Sequence, residues 1–345
     1  MRLRLMSAAG VWFVCVSTPA VAQQLPEWIT RTRLSGLAFG DFYAMAANHD
    51  PTLEGANGFW ARRVYLTVDS RFSEAFATRL RLEMNSPGDF TTPGKLEPFV
   101  KDLWVQWAGG RQQVFLGISG TPTWDLVESV WGYRNVEKTP LDLQKLGGSR
   151  DFGLAARGRL DRAGRVRYHA MVGNGADTKA ETNEEKKAYL AVAVHPVEHL
   201  VLEVYADFED CPGDNDRVTV QGFVAYDAPR ARVGVQAARQ HRELGGGETL
   251  DLDLVSTFVV LNATSRVALL ARFDRMLDPN PDGPSIAYLP LDAEAKSNLL
   301  LAAIDFTLHE HVHLIPNVEA VLYDSNGPVA PDSDVMLRTT FSVTF

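Results

Sequence analysis

The sequence predicts a transmembrane antiparallel up-and-down β-barrel of about 16 strands. Segments of about ten residues in which apolar and polar side chains alternate recur along nearly the whole chain after residue 22. The connections between these segments alternate between long and short, as in barrels that have loops on one side of a membrane and tight turns on the other. The last segment ends in an aromatic residue, Phe345. These three observations together predict the fold class.

The first 22 residues have the pattern of a secretory signal peptide. Arg2 and Arg4 give a positively charged start, an apolar stretch follows over about 8–16, and an A-x-A cleavage site ends at Ala22. We therefore expect a cleaved signal peptide over 1–22 and a single barrel domain over 23–345. Export in this form predicts a location in the outer membrane of a Gram-negative cell.

Charge and composition exclude several classes of protein. The chain carries 34 Lys and Arg residues against 43 Asp and Glu residues, a net charge of -9, and it has no basic tract of the kind that binds nucleic acid. No apolar run approaches the roughly 18 residues that a membrane-spanning helix needs. Cys211 is the single cysteine after residue 22, so no internal disulfide is expected and Cys211 is predicted to be an unpaired loop residue. The chain is therefore either a soluble all-β protein or one that crosses a membrane as strands.

The predicted strands follow from the period-two segments and from the turn residues that bound them. No helical stripe of useful length competes with them. Sixteen segments in the chain after residue 22 leave room for strands of about ten residues, the length that spans a bilayer. They lie near 33–43, 58–70, 75–86, 97–108, 111–118, 150–160, 165–174, 187–196, 199–208, 216–227, 230–240, 250–260, 264–275, 295–308, 312–323 and 335–345.

The connections are sorted by length. A soluble β-sandwich has no reason for such sorting, whereas a membrane barrel has short turns at one end and long loops at the other. Because lipid offers no hydrogen bonds, the sheet is expected to close on itself. The long connections are 44–57, 87–96, 119–149, 175–186, 241–249, 276–294 and 324–334, and the short ones include 108–111, 161–164, 196–198, 228–229 and 262–264.

Charged and apolar side chains alternate within single strands. In the third segment Arg79 and Arg81 alternate with Leu80 and Leu82, and in the last segment Arg338 lies between apolar neighbours. A charge at the middle of the lipid-facing surface costs about 2–4 kcal/mol, so the charged face is expected to line a water-filled lumen. The predicted lining cations are Arg63, Arg79, Arg81, Arg157, Arg159, Arg167, Arg272 and Arg338, and the predicted lining carboxylates are Asp102, Glu203, Asp207, Asp251, Asp253, Asp305 and Glu319.

Several segments, taken in this order, resemble a known family. They are GFWARRVYL at 58–66, FVKDLWVQW at 99–107, LGISGTP at 116–122, YRNVEK at 133–138, SRDFG at 149–153 and IPNV at 315–318. With these segments and the terminal Phe345, the chain after residue 22 resembles outer-membrane porins of the phosphate-selective porin O and P family. The resemblance covers nearly the whole of that part of the chain.

The resemblance implies a barrel of about sixteen strands that is usually a homotrimer. It implies passive diffusion of small hydrophilic solutes, with a preference for anions such as phosphate. It also implies that the third external loop, here 119–149, folds inward and narrows the pore. The terminal aromatic residue, here Phe345, is expected to be the signal for the barrel assembly machinery, and outer-membrane lipid and lipopolysaccharide are expected to surround the barrel.

The candidate constriction combines this loop with the wall that faces it. In the loop we expect Arg134, Lys138, Lys145 and Arg150 to make the charged contacts. Asp151 is expected to balance a neighbouring arginine. On the wall the expected lining residues are Arg63, Arg79, Arg81, Arg157 and Arg159.

The family's anion-selective members have ladders of arginine and lysine, whereas this chain is acidic overall. Its basic candidates nevertheless cluster in strands 2, 3, 6 and 7, beside the inward loop. A ring of fixed charge sets the ion preference of a pore. The sequence therefore favours anions, and it does not by itself predict phosphate specificity.

No metal site or cofactor is expected. His309, His311 and His313 alternate and could share a face, but they straddle a short turn that would splay them. Segment 278–283 imitates a calcium loop, but its twelfth position, which should be Glu, is Leu289.

Two alternatives to a pore remain open, and a third, an enzyme, is not expected. An enzymatic barrel would need an exposed Ser and His with an orienting partner, and the sequence offers no motif for that, so we expect no enzyme. A non-conducting outer-membrane barrel with an adhesive or structural role has the same sequence pattern. A secreted soluble β-protein would share the alternation but would not need the sorted loops.

Overall fold

The computed structural model describes residues 27–324 and 330–345. The predicted signal peptide lies outside the described residues. Sixteen antiparallel strands form one closed barrel in which every strand pairs with its sequence neighbours and the first strand pairs with the last. The predicted fold class is confirmed, including the number of strands.

The strands are longer than the predicted segments at several ends, and the fifth strand extends to Gly120, so that the third loop spans 121–149. Three short helices, α1 (Glu27–Thr30), α2 (Asp125–Trp131) and α3 (Pro140–Leu143), and a 3₁₀ turn (Gly283–Ser285) complete the described elements. In the described part of the chain, no helix has the length and apolarity needed to cross a membrane. The strands are β1 (Thr32–Ala47), β2 (Asn57–Arg71), β3 (Phe76–Asn85), β4 (Glu97–Gly109), β5 (Gln112–Gly120), β6 (Arg150–Arg159), β7 (Val166–Gly173), β8 (Lys187–Val194), β9 (Leu200–Glu209), β10 (Arg217–Ala228), β11 (Ala231–Glu243), β12 (Thr249–Asn262), β13 (Val267–Met276), β14 (Lys296–His309), β15 (Val312–Asp324) and β16 (Asp334–Thr344).

The two ends of the barrel differ in the length of their connections. The turn end has connections such as 110–111, 229–230 and 310–311, whereas the loop end carries the third loop, 121–149, and the seventh loop, 277–295. The predicted sorting of connections therefore appears at the two ends of one closed sheet. Cys211 is free and lies in a connection of the loop end.

The two faces of the strands differ in chemistry as predicted. On β16, Leu337 is 49% exposed on the outer surface, whereas Arg338 is only 3% exposed and points into the barrel. On β13, Leu269 is exposed and Arg272 is buried in the same way. The outer surface is thus apolar where a bilayer would contact it, and Arg272 and Arg338 lie inside.

Two β-bulges break the alternation and place extra charge inside. In β2 the pairing with β1 shifts between Arg63 and Ala61, so that Arg62 is the additional residue. In β4 the pairing with β3 shifts in the same way at Lys101. A bulge re-aims side chains locally, and Arg62 and Lys101 are accordingly only 3% and 8% exposed. Strict alternation would have directed both toward lipid.

The prediction that Asp251 and Asp253 line the lumen was wrong. Their neighbours Leu252 and Leu254 occupy the inner face of β12, where they are buried in a cluster with leucines of the third loop. Asp251 and Asp253 therefore face outward. There, Asp253 accepts a hydrogen bond of 2.6 Å from Arg239, which lies opposite it on β11.

The third loop forms the main apolar core inside the barrel. Val127, Val130 and Trp131 of α2 are buried against a wall that includes Phe223 of β10 and Phe258 of β12. The ring centroids of Trp131 and Phe258 are 5.2 Å apart. Burial of this apolar surface stabilises the inward position of the loop, and it confirms that the loop folds into the lumen as expected.

The seventh loop also folds into the barrel, which the sequence did not indicate. Its residues Ile286, Leu289 and Leu291 are buried together with Leu143 of α3. Its Tyr288 hydroxyl donates a hydrogen bond of 2.9 Å to the backbone carbonyl of Arg62. The two loops together occupy the middle of the lumen from β8 round to β16. Space remains between the third loop and β1 to β9, and also at the turn end beside Tyr133, Asp305 and His313.

Candidate functional site

Three adjoining cavities lie between the third loop and the wall formed by β1 to β9. We call them the central cavity, of about 190 Å³, the narrow cavity, of about 90 Å³, and the turn-end cavity, of about 530 Å³. Arg150 lines both the central and the narrow cavity. Asp125, Arg157 and His169 line both the narrow and the turn-end cavity. Because neighbours share walls, we treat the three cavities as one passage.

The passage is lined by more cationic than anionic residues. The excess is local, because the whole chain has a net charge of -9. The basic residues of the three linings are Arg63, Arg79, Arg81, Lys101, Arg111, Arg134, Arg150, Arg157, Arg159 and Arg167, and the acidic ones are Asp102, Asp125, Glu128 and Glu203.

The carboxylate of Asp102 contacts three arginines at the narrow cavity. Asp102 of β4 accepts a hydrogen bond from the Nε of Arg150. Its Oδ2 atom lies 3.3 Å from Nη1 of Arg81 and 4.0 Å from Nη1 of Arg79. Arg79 has a second partner, Asp69, at 2.7 Å. A single buried carboxylate thus holds several guanidinium groups together without neutralising all of them.

A second shared carboxylate lies beside the central cavity. Glu83 of β3 is 3.0 Å from Nη1 of Arg63 and 3.3 Å from Nζ of Lys101. All three residues are buried. The bulge at Lys101 brings this second cation to the shared carboxylate, so the side of the passage toward β2, β3 and β4 keeps a positive excess.

The loop side of the passage carries the opposing carboxylates. Asp125 at the start of α2 lies 3.3 Å from Arg157 and 3.5 Å from His169. Glu128, one turn later, lies 3.5 Å from Arg134. Desolvation inside the loop raises the pKa of Glu128 to about 7, against the opposing effect of Arg134. Glu128 therefore changes its charge close to neutral pH.

Three arginines of the wall anchor the third loop. Arg62 donates to the backbone carbonyl of Val136 at 2.9 Å, and Arg272 donates to the backbone carbonyl of Lys138. Arg338 lies 3.4 Å from the carboxylate of Glu137. These contacts fix the segment 135–138 against β2, β13 and β16. The three arginines themselves lie outside the lining of the passage.

Charge pairing also shapes the titration of this anchored segment. Burial works to raise the pKa of Glu137, but Arg338, Lys138 and Arg62 together hold it at about 2. Burial lowers the pKa of Lys138 to about 8. Glu137 therefore stays ionised over the whole range of neutral pH, which keeps its contact with Arg338 intact.

The structure gathers some of the sequence-predicted site residues and separates others. Lys138 is buried in the anchored segment, and Lys145 donates a hydrogen bond of 2.7 Å to Ser285 of the seventh loop. Asp151 accepts hydrogen bonds from the hydroxyl of Tyr189 and the backbone of Gly175, both at 2.8 Å. These three lie outside the lining of the passage. The predicted residues that line it are Arg63, Arg79, Arg81, Asp102, Arg134, Arg150, Arg157, Arg159, Arg167 and Glu203.

Sequence reasoning missed Arg62, Lys101 and Arg111. The first two are directed inward by bulges, and alternation carries no signal for an inserted residue. Arg111 lies in a two-residue turn, a position that strand patterns do not address. Doubled charges inside an alternating strand, as in Arg62-Arg63 and Lys101-Asp102, are the signal that could have revealed the bulges.

Phe345 lies at the seam where the barrel closes. Its carbonyl accepts a hydrogen bond of 2.7 Å from the backbone of Gly36, and its amide donates one of 3.1 Å to the carbonyl of Gly36. Its ring covers the α-carbon of Gly36, because a Cβ atom there would lie 2.1 Å from the ring. The last residue is therefore part of the closed sheet.

Metal ligation finds no support in the described ranges. Within 27–324 and 330–345, no group of three or more His, Cys, Asp and Glu side chains is placed to hold a metal ion. His311 hydrogen bonds with Thr344 at 3.0 Å, whereas His313 lies 2.9 Å from Asp305. These two histidines thus have separate neighbours.

No protein-family model matches the chain, and no curated protein sequence matches it. Solved structures are similar in fold. A loop-deletion mutant of OmpT, an outer-membrane protein of Vibrio cholerae, superimposes with a TM-score of 0.67 at 11% identity, over 91% of this chain and 99% of that one. The anion-selective porin from Comamonas acidovorans gives 0.66 at 12% identity, over 91% and 99%. The outer-membrane channel DcaP of Acinetobacter baumannii gives 0.65 at 10% identity, over 91% and 97%. The chain therefore has the fold of outer-membrane porins.

Proposed function

We propose that this protein is an outer-membrane channel through which small hydrophilic solutes diffuse passively, with a preference for anions. One observation carries the proposal: the passage beside the third loop is lined by ten basic and four acidic residues, although the chain as a whole is acidic. Fixed charge along a pore sets the sign of the ions that enter it.

The shared carboxylates support the proposed sign of selectivity. Asp102 carries one negative charge among three arginines, and Glu83 carries one between Arg63 and Lys101. An arginine presents several N–H donors in a planar fork, so it can keep one carboxylate and still meet a passing anion. Conduction requires binding that is favourable but weak and distributed over several sites. A row of partly neutralised arginines meets that requirement.

The proposal assigns separate roles to the predicted charged residues. Arg63, Arg79, Arg81, Arg134 and Arg150 act at the central and narrow cavities, where they would contact the solute. Arg157 and Arg159 act on the way to the turn end. Lys138, Lys145 and Asp151 position the loops that bound the passage.

The remaining expectations belong to the same proposal. A cleaved signal peptide over 1–22 would export the chain, and Phe345 would be read by the barrel assembly machinery. The barrel would form a homotrimer in contact with outer-membrane lipid and lipopolysaccharide. Membership of the phosphate-selective porin O and P family stays a prediction from the resemblance, and a preference for phosphate is only what that resemblance implies.

Reconstitution in planar bilayers tests the proposal. The purified protein is expected to give discrete single-channel currents. In a salt gradient, its reversal potential is expected to lie toward the equilibrium potential of the anion. A folded barrel that inserts into the bilayer and never conducts would contradict the proposal and favour an adhesive or structural role.

A further inference from the structure

Arginines and aromatic rings are paired along the passage. The guanidinium carbon of Arg79 lies 5.6 Å from the ring centre of Trp104, and that of Arg157 lies 4.6 Å from the ring centre of Phe115. Arg81 lies in the same way 5.8 Å from Tyr65, and Arg134 lies 5.0 Å from Trp124. These distances are within the range of a cation–π contact.

All four pairs belong to the two narrower cavities. Trp104 and Phe115 line the narrow cavity together with their arginines, and Tyr65 and Trp124 line the central cavity with theirs. The loop contributes one pair and the barrel wall contributes three. Trp104 also packs edge-on against Phe115 at 5.1 Å. The rings are therefore held in fixed orientations.

The rings differ in how much of their surface they leave open. Phe115 and Trp124 are buried, whereas Tyr65 and Trp104 are only half-buried and belong to strands whose arginines point into the passage. Each half-buried ring lies next to a guanidinium group that already contacts a carboxylate, Asp69 for Arg79 and Asp102 for Arg81. An arginine has five N–H donors, so it can keep that contact and meet a second carboxylate. The two features together form a site with a cationic part and a flat apolar part.

A small inorganic anion would contact only the cationic part of this site. Phosphate or chloride would interact with the guanidinium groups alone, and the exposed parts of Tyr65 and Trp104 would contribute nothing to its passage. A ring-bearing carboxylate could place its charge on an arginine and pack its ring against the exposed part of one of these rings, since aromatic pairs prefer offset or edge-to-face contact.

We propose that the passage favours small aromatic carboxylates over aliphatic carboxylates of equal charge and similar size. This inference rests on the proposed function, because it names the class of anion that the channel would pass. Trp104 is the central specificity residue, since it lies in the narrow cavity beside Arg79.

Benzoate and cyclohexanecarboxylate provide the matched probes, because both carry one carboxylate and a six-membered ring. Permeability ratios for their potassium salts are measured from reversal potentials in planar bilayers. We expect benzoate to be favoured by about threefold to tenfold, the size of one aromatic contact. The variant Trp104→Leu should reduce this preference to nearly one, whereas Trp104→Phe should retain most of it.

The control is Trp107→Leu, which removes a tryptophan from the outer face of the same strand, where it is exposed. Tyr65→Leu tests the second open ring and serves if Trp104→Leu does not fold. Equal permeability of benzoate and cyclohexanecarboxylate in the unchanged protein would overturn the inference and leave the channel proposal standing. A preference for benzoate that both Trp104→Leu and Tyr65→Leu retain would do the same. A folded protein that conducts neither salt would overturn the channel proposal itself.

Discussion

Arg81 and Asp102 are register partners across β3 and β4, and Nη1 of Arg81 lies 3.3 Å from Oδ2 of Asp102. The same carboxylate accepts a hydrogen bond from Arg150 at the end of the third loop. A buried carboxylate between two arginines joins the barrel wall to the loop at the narrow cavity. It also leaves positive charge in excess where the passage is smallest.

Removing two of these cations should change the ion preference. In the double variant Arg79→Gln and Arg81→Gln, the carboxylates Asp69 and Asp102 each lose a partner, so we expect the reversal potential in a KCl gradient to shift toward cations. The control is Arg239→Gln, which removes one positive charge from the outer surface. A reversal potential unchanged by the double variant would mean that neither arginine faces the conducting path.

Releasing the anchor of the third loop should open the passage. Arg62→Met leaves the carbonyl of Val136 and the carboxylate of Asp41 without their buried guanidinium partner. Breaking such a pair costs about 3 kcal/mol. We expect larger and noisier single-channel currents and faster protease cleavage within 121–149. Arg71→Met, at the exposed end of the same strand, should leave both unchanged. Wild-type conductance in Arg62→Met would show that other contacts suffice to hold the loop.

Selectivity should depend on pH through Glu128. Its pKa is raised to about 7 by desolvation, and the facing charges are Arg134, Asp142, Arg150 and Asp125. As pH falls from 8 to 6 the carboxylate gains a proton and becomes neutral, so the passage becomes more positive and anion preference should rise.

The raised pKa of Glu128 also makes the stability of the fold depend on pH, and the favourable direction is again low pH. A carboxyl group whose pKa is raised in the folded protein favours folding at low pH, and its contribution is lost as pH rises through about 7. Glu128→Gln should remove its share of both effects, and it should hold selectivity near the low-pH value of the unchanged protein. Identical pH dependence in Glu128→Gln and the unchanged protein would exclude this residue as the source.

Closure of the barrel should depend on the missing side chain at residue 36. A Cβ atom on Gly36 would lie 2.1 Å from the ring of Phe345, so Gly36→Val should force that ring away from the seam. We expect less folded protein in outer membranes, measured as the heat-modifiable band on gels. Gly222→Ala is the control, because nothing lies within 4 Å of a Cβ there. Normal folded amounts of Gly36→Val would show that the packing of Phe345 does not limit closure.

Much of the barrel could be predicted because its physics is local and repetitive. Alternation within each strand and the sorting of connections follow directly from having lipid on one side and a polar interior on the other. The outward position of Leu337 and the inward position of Arg338 are examples. The inward fold of the third loop came from the family resemblance, and its helix α2 supplies the apolar surface that explains it.

The features that sequence reasoning missed depend on contacts distant along the chain. The bulges at Arg62 and Lys101 each add one residue to a strand, and the pairing with the neighbouring strand decides where that residue is inserted. Alternation also divides a strand into two faces without saying which one is inside. Asp251 and Asp253 face outward because Leu252 and Leu254, on the other face of the strand, pack on the third loop inside the barrel.

The sign of the reversal potential tests the central claim most directly. The unchanged protein is placed in a planar bilayer with a tenfold KCl gradient, and the potential at zero current is measured. We expect the potential at zero current to be displaced toward the equilibrium potential of chloride, because the passage is lined by ten basic and four acidic residues. A zero-current potential displaced toward the equilibrium potential of potassium would contradict the claim. The absence of current through a folded and inserted barrel would contradict it as well.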